Sequence, residues 1–310
     1  MNANLEAQAP DQGGELLMLE TPTGRLAGTL LVPKASGTVP LAVIIPGSGP
    51  TDRNGNSPLI PGANNSLKLL AEGLAAHGIA SLRYDKRGVG ASAVSGLSEA
   101  DLRFGNSADD AAAWVDRLRQ DPRFSTITII GHSEGALVGL LAAQKSPADA
   151  YISIAGAGRP ADKILRDQLS KQLPPNLLAF ANRALDTLLT GRKVDSVPPQ
   201  LMPLFRPSVQ PYMISWLKVD PQAEVAKLKI PVLIAQGTLD AQVPENDAKL
   251  LAVAQPKAKL IIVQSMNHVM KQTAPDQAAQ VRSYSDPTLP IPTGLIDGIS
   301  TFIKPVPRNK

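Results

Sequence analysis

A serine between two glycines is the residue of this sequence best placed for covalent chemistry. The segment GHSEG at 131–135 directly follows the β-branched run TITII at 126–130 and directly precedes a helical pattern. A G-x-S-x-G segment between a strand and a helix forms a sharp turn that presents the serine hydroxyl above the end of a sheet. The free N–H groups at the start of such a helix stabilise a developing oxyanion. The pattern therefore predicts Ser133 as the nucleophile of an acyl-transfer site.

A serine nucleophile needs a base, and the sequence offers three histidines. His132 lies next to the hydroxyl that it would have to face, so packing or a hydrogen bond behind the sheet is the better interpretation. His77 precedes Gly78 at the end of a predicted helix, where a histidine meets the last carbonyl groups. His268 follows the last predicted strand, in the loop where the base of this fold belongs. Elimination therefore predicts His268 as the general base.

The third member of such a triad is a carboxylate that orients the imidazole and stabilises its cation. In this chain order it lies between the serine and the histidine. Asp240 directly follows the strand-like run 231–237, whereas most other carboxylates of that interval lie in a predicted insertion or on helices. Glu245 and Asp247 belong to the first turn of a predicted helix, where acidic residues are expected because they interact favourably with the helix dipole. Asp240 is therefore the predicted partner of His268, with Glu245 as the alternative.

A loop rich in glycine and proline, PGSGP at 46–50, follows the buried strand pattern LAVII at 41–45. Lipases and esterases place an oxyanion-binding loop at this point of the chain. The backbone N–H groups of Ser48 and Glu134 are the predicted donors, with Gly49 as the alternative to Ser48. A phosphate-binding loop does not fit, because no Gly-Lys-Ser/Thr follows and the spacing lacks G-x-G-x-x-G.

Two charged clusters also follow predicted strands at the carboxyl end, where open α/β sheets bind ligands. One contains Asp52 and Arg53, and the other contains Asp85, Lys86 and Arg87. Substrate contact and an ion-pair network that fixes the neighbouring loops both fit this placement. The ion-pair network is favoured, because structural ion pairs are commoner than ion pairs at sites.

The elements that position these residues alternate between short apolar runs and helical patterns. After an opening hairpin with strand patterns at 15–20 and 28–33, strand patterns occur at 41–47, 79–85, 126–130, 150–155, 231–237 and 259–263, and helical patterns at 65–77, 107–120, 134–144, 245–254 and 296–303. Such alternation predicts an α/β fold with a mostly parallel sheet and helices on both faces.

One stretch, 158–227, interrupts this alternation. It contains helical patterns separated by prolines and no strand-like run, although neighbouring parallel strands do not need so long a connection. Its density of large apolar side chains is that of a core, whereas a disordered linker is poor in them. We therefore predict a helical cap at 158–227, inserted into a catalytic α/β domain formed by 1–157 and 228–310. Phe205 and Trp216 are its candidate substrate contacts.

Composition disfavours several other classes of protein. The 310 residues include no cysteine, which excludes disulfides, thiolate metal sites and cysteine nucleophiles. Three histidines make a multi-histidine zinc site hard to assemble, and we expect neither a metal nor a cofactor. The net charge of +4 is scattered without basic runs, and aromatic residues are scarce at 4%, so nucleic acid is not an expected partner.

The sequence also lacks the pattern of a membrane-inserted chain. The longest apolar stretch, 135–143, is about half of what a spanning helix needs. The first fourteen residues lack the basic and then apolar layout of a signal peptide and indicate a polar tail. We therefore expect no stable membrane insertion and a cytoplasmic location, with a periplasmic or secreted protein as the alternative if a leader has been removed.

Several sequence blocks resemble those of bacterial α/β-hydrolase-fold carboxylesterases, a group of serine hydrolases with proline-iminopeptidase-like and monoglyceride-lipase-like members. The blocks are GSGPTDRNGN at 47–56, LRYDKRGVGAS at 82–92, GHSEG at 131–135, PSVQPYMISWLKVDP at 207–221, IPVLIAQGTLDAQV at 230–243 and MNHVMK at 266–271. The resemblance spans roughly residues 15–305 and implies the α/β-hydrolase fold, the same triad and oxyanion donors around Ser48. The sequence departs from the commonest lipase pattern in having Pro46 where a histidine usually precedes the first glycine.

The expected function is a serine carboxylesterase that hydrolyses small-molecule esters of short to medium chain length through an acyl-enzyme. A peptidase, an amidase or a thioesterase of the same fold is the alternative within this chemistry. A pocket for a substrate amine is disfavoured, because glutamate is scarce in the predicted cap, with Glu224 near its edge. A ligand receptor without turnover is the alternative from another class, and the complete set Ser133, Asp240 and His268 argues against it.

Overall fold

The computed structural model describes residues 14–93 and 98–308, and the predicted polar tail lies, apart from Gly14, outside them. The strands are β1 (Glu15–Thr21), β2 (Gly24–Leu31), β3 (Val39–Ile45), β4 (Ala80–Tyr84), β5 (Phe124–His132), β6 (Ala150–Ile154), β7 (Val232–Gly237) and β8 (Lys259–Val263). The helices are α1 (Ser66–Ala76), α2 (Phe104–Arg119), α3 (Glu134–Lys145), α4 (Ala161–Ser170), α5 (Pro175–Leu189), α6 (Met202–Phe205), α7 (Gln210–Trp216), α8 (Pro221–Val225), α9 (Glu245–Ala254), α10 (Gln277–Ser283) and α11 (Thr293–Ile303). Within the described ranges, no helix is long and apolar enough to cross a membrane.

The eight strands form one open sheet in the order β1-β2-β4-β3-β5-β6-β7-β8. The pairs β1–β2 and β2–β4 are antiparallel, and the pairs from β4–β3 to β7–β8 are parallel. This arrangement confirms the prediction of a mostly parallel sheet, and it brings the carboxyl ends of β3 to β8 to the same edge.

Helices cover both faces of the sheet, as the alternation of elements predicts. Leu41, Val43 and Ile45 of β3 belong to the apolar core shared with α2, α3 and α9. Ala42 and Ile44 of the same strand belong to the core shared with α1 and α11. Burial on both faces explains why the inner strands are continuous apolar runs rather than alternating ones.

Some elements begin earlier than the sequence patterns indicate, and the causes are local. The helix α2 begins at Phe104 rather than at 107, because the side chain of Asn106 accepts a hydrogen bond from the backbone N–H of Arg103 at 2.7 Å and caps the first turn. The strand β2 begins at Gly24 rather than at 28, because a two-residue turn connects it to Thr21, its direct partner in β1.

The residues of 158–227 are all described, and those in α4 to α8 are helical. They contain an apolar cluster of their own, whose buried members are Ala161, Leu165, Ala181, Ala184, Leu185, Leu188, Leu201, Phe205, Met213 and Leu217. The segment also packs on the sheet domain, where Phe104 of α2 lies 5.6 Å from the ring of Tyr212 and 5.9 Å from that of Trp216. The segment is therefore helical, contains an apolar core of its own and packs on α2.

Candidate active site

Ser133 occupies the sharp turn between β5 and α3. Its backbone has φ 56° and ψ −122°, a conformation that residues with a side chain rarely adopt. The backbone N–H of Ser133 donates to the carbonyl of Ile154 in β6 at 2.9 Å, which fixes the turn against the sheet. The side chain is thereby presented at the carboxyl edge of the sheet, where it is partly exposed.

The two glycines of this turn are required by close backbone contacts. A Cβ atom on Gly131 would lie 2.2 Å from the carbonyl oxygen of Gly135. A Cβ atom on Gly135 would lie 2.5 Å from the carbonyl oxygens of both Ile45 and Pro46, at the end of β3. Both distances are far shorter than a van der Waals contact, so larger residues would displace Ser133 from its position.

Three parallel strands bring the predicted triad residues together. Ser133 follows β5, Asp240 follows β7 and His268 follows β8. Nε2 of His268 lies 3.0 Å from Oγ of Ser133, and Nδ1 of the same ring lies 2.8 Å from Oδ2 of Asp240. Glu245, the alternative to Asp240, begins α9 and lies 3.8 Å from the ammonium of Lys249, outside this chain of contacts.

Asp240 remains a carboxylate in this environment. Burial alone would raise the pKa of Asp240, but the contact with His268 and the N–H donors of Val243 and Gln242 bring that pKa below its ordinary value. The side-chain amide of Gln236 adds a further hydrogen bond to Oδ2 at 2.9 Å. An ionised Asp240 can therefore orient the ring of His268 and stabilise its cation.

His132 faces the back of His268 rather than the hydroxyl of Ser133. Its Nε2 lies 2.7 Å from the backbone carbonyl oxygen of His268. Burial, together with the charge of His268, lowers the pKa of His132 to about 4. A neutral His132 therefore donates to this carbonyl and holds the loop that carries His268. The remaining histidine, His77, contacts the carbonyl of Gly73 at 2.9 Å, at the end of α1.

The burial of His132 makes the free energy of unfolding depend on pH. Its pKa is about 4 in the folded protein and about 6.5 in an unfolded chain. Below pH 6.5 the unfolded chain binds a proton that the folded protein excludes. The contribution of His132 to the free energy of unfolding is therefore fully present above pH 6.5 and is lost as the pH falls toward 4. The loss from this residue is about 3 kcal/mol in total.

We expect the variant His132→Gln to flatten this dependence, because glutamine places an amide donor near the position of Nε2 and does not titrate. Denaturant unfolding of wild type and variant at pH 7.5 and pH 5 measures the difference, and His77→Gln is the matched control. Parallel profiles for wild type and His132→Gln would contradict the expected titration.

One predicted oxyanion donor, Ser48, lies in the loop after β3, and the other, Glu134, begins α3 directly after Ser133. Ser48 and Gly49 are exposed, and Gly49 has a φ of 68°. A Cβ atom on Gly47 would lie 3.3 Å from Cβ of Ser133, so the loop directly contacts the turn. Among the described residues, the N–H groups of Ser48 and Glu134 have no acceptor within the chain. Both N–H groups therefore remain the predicted oxyanion donors.

The charged clusters form buried ion pairs beside the site. Arg53 pairs with Asp85 at 2.7 Å, and their side chains are 9% and 0% exposed. Arg87 forms a two-bond contact with Asp110 of α2. The carboxylate of Asp52 accepts hydrogen bonds from N–H groups of its own loop. These contacts hold the loops after β3 and β4 in place.

Two polar residues near Ser133 make contacts that the sequence patterns do not predict. The ammonium of Lys86 donates to the backbone carbonyl of Gly47. The hydroxyl of Tyr212 in α7 donates to Oε1 of Glu134 at 3.0 Å. The position of Lys86 just after β4 indicates that it lies at the carboxyl edge of the sheet, where open α/β sheets bind ligands. No local sequence pattern indicates the partner of Tyr212.

The two predicted substrate contacts of 158–227, Phe205 and Trp216, differ in burial. Phe205 has no exposed surface, and its carbonyl accepts from the side chain of Gln210, so it belongs to the interior of the segment. Its role as a substrate contact stays a prediction. Trp216 is partly buried and stacks on Phe104 with an angle of 15° between the rings. Trp216 lies where the segment packs on α2, and its role as a substrate contact stays a prediction.

An open, mostly parallel sheet with a serine turn after β5 and a histidine loop after β8 is the arrangement of the α/β hydrolases. The family model described as "Serine aminopeptidase, S33" matches residues 64–223, and the chain belongs to this family. This membership confirms the predicted resemblance to α/β-hydrolase-fold serine hydrolases.

A curated relative and two solved structures extend the comparison. The chain is 30% identical to esterase EstD of Thermotoga maritima over 249 residues, which are 79% of this chain and 58% of that protein. It therefore spans little more than half the length of this relative. Est1E of Butyrivibrio proteoclasticus, solved with ferulic acid bound, has a TM-score of 0.60 at 20% identity and covers 93% of this chain and 99% of its own.

XC6422 of Xanthomonas campestris, described as an α/β serine hydrolase without a lid, has a TM-score of 0.52 at 19% identity over 96% of this chain and 98% of its own. At these identities the structural likeness concerns the fold, and it confirms the predicted α/β-hydrolase fold.

Proposed function

We propose that this protein is a carboxylesterase that hydrolyses small-molecule esters through an acyl-enzyme on Ser133. The observation that carries the proposal is the continuous chain of hydrogen bonds from Ser133 through His268 to Asp240, at the carboxyl edge of the sheet. The name of the relative EstD, an esterase, supports the choice of an ester as substrate.

The geometry supports a two-step reaction. Oγ of Ser133 attacks the ester carbonyl while Nε2 of His268 accepts the hydroxyl proton. The resulting oxyanion is bound by the N–H groups of Ser48 and Glu134, and His268 returns the proton to the leaving alcohol. A water molecule then attacks the acyl-enzyme with His268 again as the base, and this step releases the acid and restores Ser133. Each step uses only groups of this chain, substrate and water.

We also propose that residues 158–227 form a cap on a catalytic domain composed of 1–157 and 228–310. Tyr212 of the segment contacts Glu134, directly after the nucleophile. On the other side, the amide of Gln168 in α4 donates to the backbone carbonyl of Gln242 at 3.2 Å, two residues beyond Asp240. The segment thus contacts a chain neighbour of Ser133 and a loop residue close to Asp240, which supports a role in shaping the acyl pocket.

An aminopeptidase is the second candidate, because the family description names that activity. Such an enzyme needs an acidic group that binds the amino terminus of its substrate. Glu134 is the acid nearest to Ser133 in sequence, and its carboxylate accepts the hydroxyl of Tyr212. This engagement favours the ester over the amino-terminal peptide as substrate.

A panel of p-nitrophenyl esters of increasing acyl length, together with a thioester and aminoacyl p-nitroanilides, tests the proposal. We expect kcat/KM to rise over the first acyl carbons, by up to about 0.8 kcal/mol per buried methylene, and to fall once the pocket is full. Higher kcat/KM on the anilides than on the best ester would contradict a carboxylesterase.

The variant Trp216→Asp tests the cap. We expect it to change the acyl-length profile or to lower the stability of the segment, and Val253→Asp on the exposed side of α9 is its control. A flat profile that Trp216→Asp leaves unchanged would show that 158–227 does not shape the acyl pocket.

A further inference from the structure

Lys86 lies at the carboxyl end of β4, between two residues that form ion pairs. Its neighbour Asp85 pairs with Arg53, and its other neighbour Arg87 pairs with Asp110. The ammonium of Lys86 instead reaches the next loop of the sheet and donates to the carbonyl of Gly47. This contact joins the loop after β4 to the loop that contains the proposed oxyanion donor.

The carbonyl of Gly47 and the N–H of Ser48 belong to one planar peptide unit. In a trans peptide these two groups point in opposite directions. A side chain that holds the carbonyl therefore also sets the direction of the N–H. A Cβ atom on Gly47 would lie 3.3 Å from Cβ of Ser133, so this peptide is next to the nucleophile. A rotation of the peptide would therefore turn the Ser48 N–H away from an oxygen bound at Ser133.

Glu134 interacts electrostatically with the ammonium of Lys86, and Tyr212 contacts Glu134. Burial lowers the pKa of Lys86 below its ordinary value, and the negative charge of Glu134, which stabilises the Lys86 cation, partly offsets this effect. The Tyr212 hydroxyl donates to Oε1 of Glu134 at 3.0 Å. A series of polar interactions thus runs from α7 of the 158–227 segment, past the first residue of α3, to the loop after β3.

We propose that Lys86 is a positioning residue for the oxyanion site: it holds the Gly47–Ser48 peptide with its N–H directed at the acyl oxygen, and Glu134, held by Tyr212, keeps the ammonium in place. The inference rests on the proposed function, because it assigns the Ser48 N–H to the oxyanion. It also makes the docking of α7 a condition for a complete oxyanion site.

Lys86→Met tests this role, because methionine retains most of the side-chain length and removes both the charge and the donors. An oxyanion donor contributes more to the transition state than to substrate binding. We therefore expect kcat on the best p-nitrophenyl ester to fall by about 10- to 100-fold, with KM within about twofold of wild type. A boronic acid that forms a tetrahedral adduct with Ser133 should lose affinity by a similar factor.

The matched control is Lys145→Met, at the far end of α3, where the ammonium pairs with Asp109 in solvent. We expect wild-type kcat and boronate affinity for this variant. A folded Lys86→Met enzyme with wild-type kcat, or with a change confined to KM, would overturn the proposal.

Tyr212→Phe supplies a second and milder test, which decides the matter if Lys86→Met does not fold. It removes only the hydroxyl, and we expect kcat to fall by about 3- to 10-fold with KM unchanged. An unchanged kcat in Tyr212→Phe would overturn the proposed series of contacts.

Ser133→Ala, measured in parallel, distinguishes a failure of the positioning role from a failure of the proposed function. An active Ser133→Ala enzyme would remove the proposed function itself, and the role of Lys86 with it. If Ser133→Ala is inactive, the proposed function stands, and the kinetics of Lys86→Met and Tyr212→Phe decide whether Lys86 positions the oxyanion donor.

Discussion

The Ser133→Ala enzyme should fold normally and hydrolyse p-nitrophenyl esters at least about 10⁴-fold more slowly than wild type. Alanine removes Oγ, which lies 3.0 Å from Nε2 of His268, and leaves the backbone of the turn in place. The oxyanion donors and the binding surface remain, so a residual rate above that of water is expected. The measurement is kcat/KM on the best ester of the panel, with the thermal midpoint as the check on folding.

Ser146→Ala is the matched control for this variant. Its hydroxyl donates to the carbonyl of Ala142 at the end of α3, far from the turn that precedes the helix. We expect wild-type kinetics for this variant. If Ser133→Ala retained a tenth of the wild-type rate, Ser133 would not be the nucleophile, and the acyl-enzyme mechanism would have to be abandoned.

Replacement of the two histidines that differ most in environment should give opposite results. His268→Gln is expected to lose about 10⁴-fold in kcat/KM, because glutamine places an amide near the position of Nε2 but cannot accept the proton of Ser133. His77→Gln should stay within about twofold of wild type. His77 lies at the end of α1, where it contacts the carbonyl of Gly73 and the carboxylate of Asp297 in α11.

The same assay and the same substrates serve for both histidine variants, with circular dichroism as the check on secondary structure. A large loss for His77→Gln and none for His268→Gln would reverse the assignment. Equal and small losses for both would mean that neither His268 nor His77 activates the hydroxyl of Ser133.

The elements that carry the proposed triad could be predicted from the sequence because their signals are local. The run TITII followed by GHSEG contains a strand, a turn and a helix start within a few residues, and the structure has β5, Ser133 and α3 there. Asp240 and His268 each lie in the loop that follows an apolar strand. Parallel pairing then brings these three loop positions to one edge, so their proximity follows from the fold class.

Contacts between distant parts of the chain could not be predicted in the same way. The ring of His132 reaches the carbonyl of His268, 136 residues later, and the hydroxyl of Tyr212 reaches Glu134, 78 residues earlier. No periodicity or motif specifies such pairs. The density of apolar residues in 158–227 likewise indicates a core, but it does not distinguish the interior position of Phe205 from a pocket wall.

The backbone of Ser133 also has a consequence for how this protein could evolve or be engineered. A residue with a side chain at φ 56° and ψ −122° costs the folded state on the order of 1–3 kcal/mol. Glycine would remove that cost and, with it, the hydroxyl. Selection for thermal resistance alone would therefore favour the loss of Ser133, so activity and robustness are in direct opposition at this one position. Stabilising substitutions that preserve turnover have to be sought elsewhere in the chain.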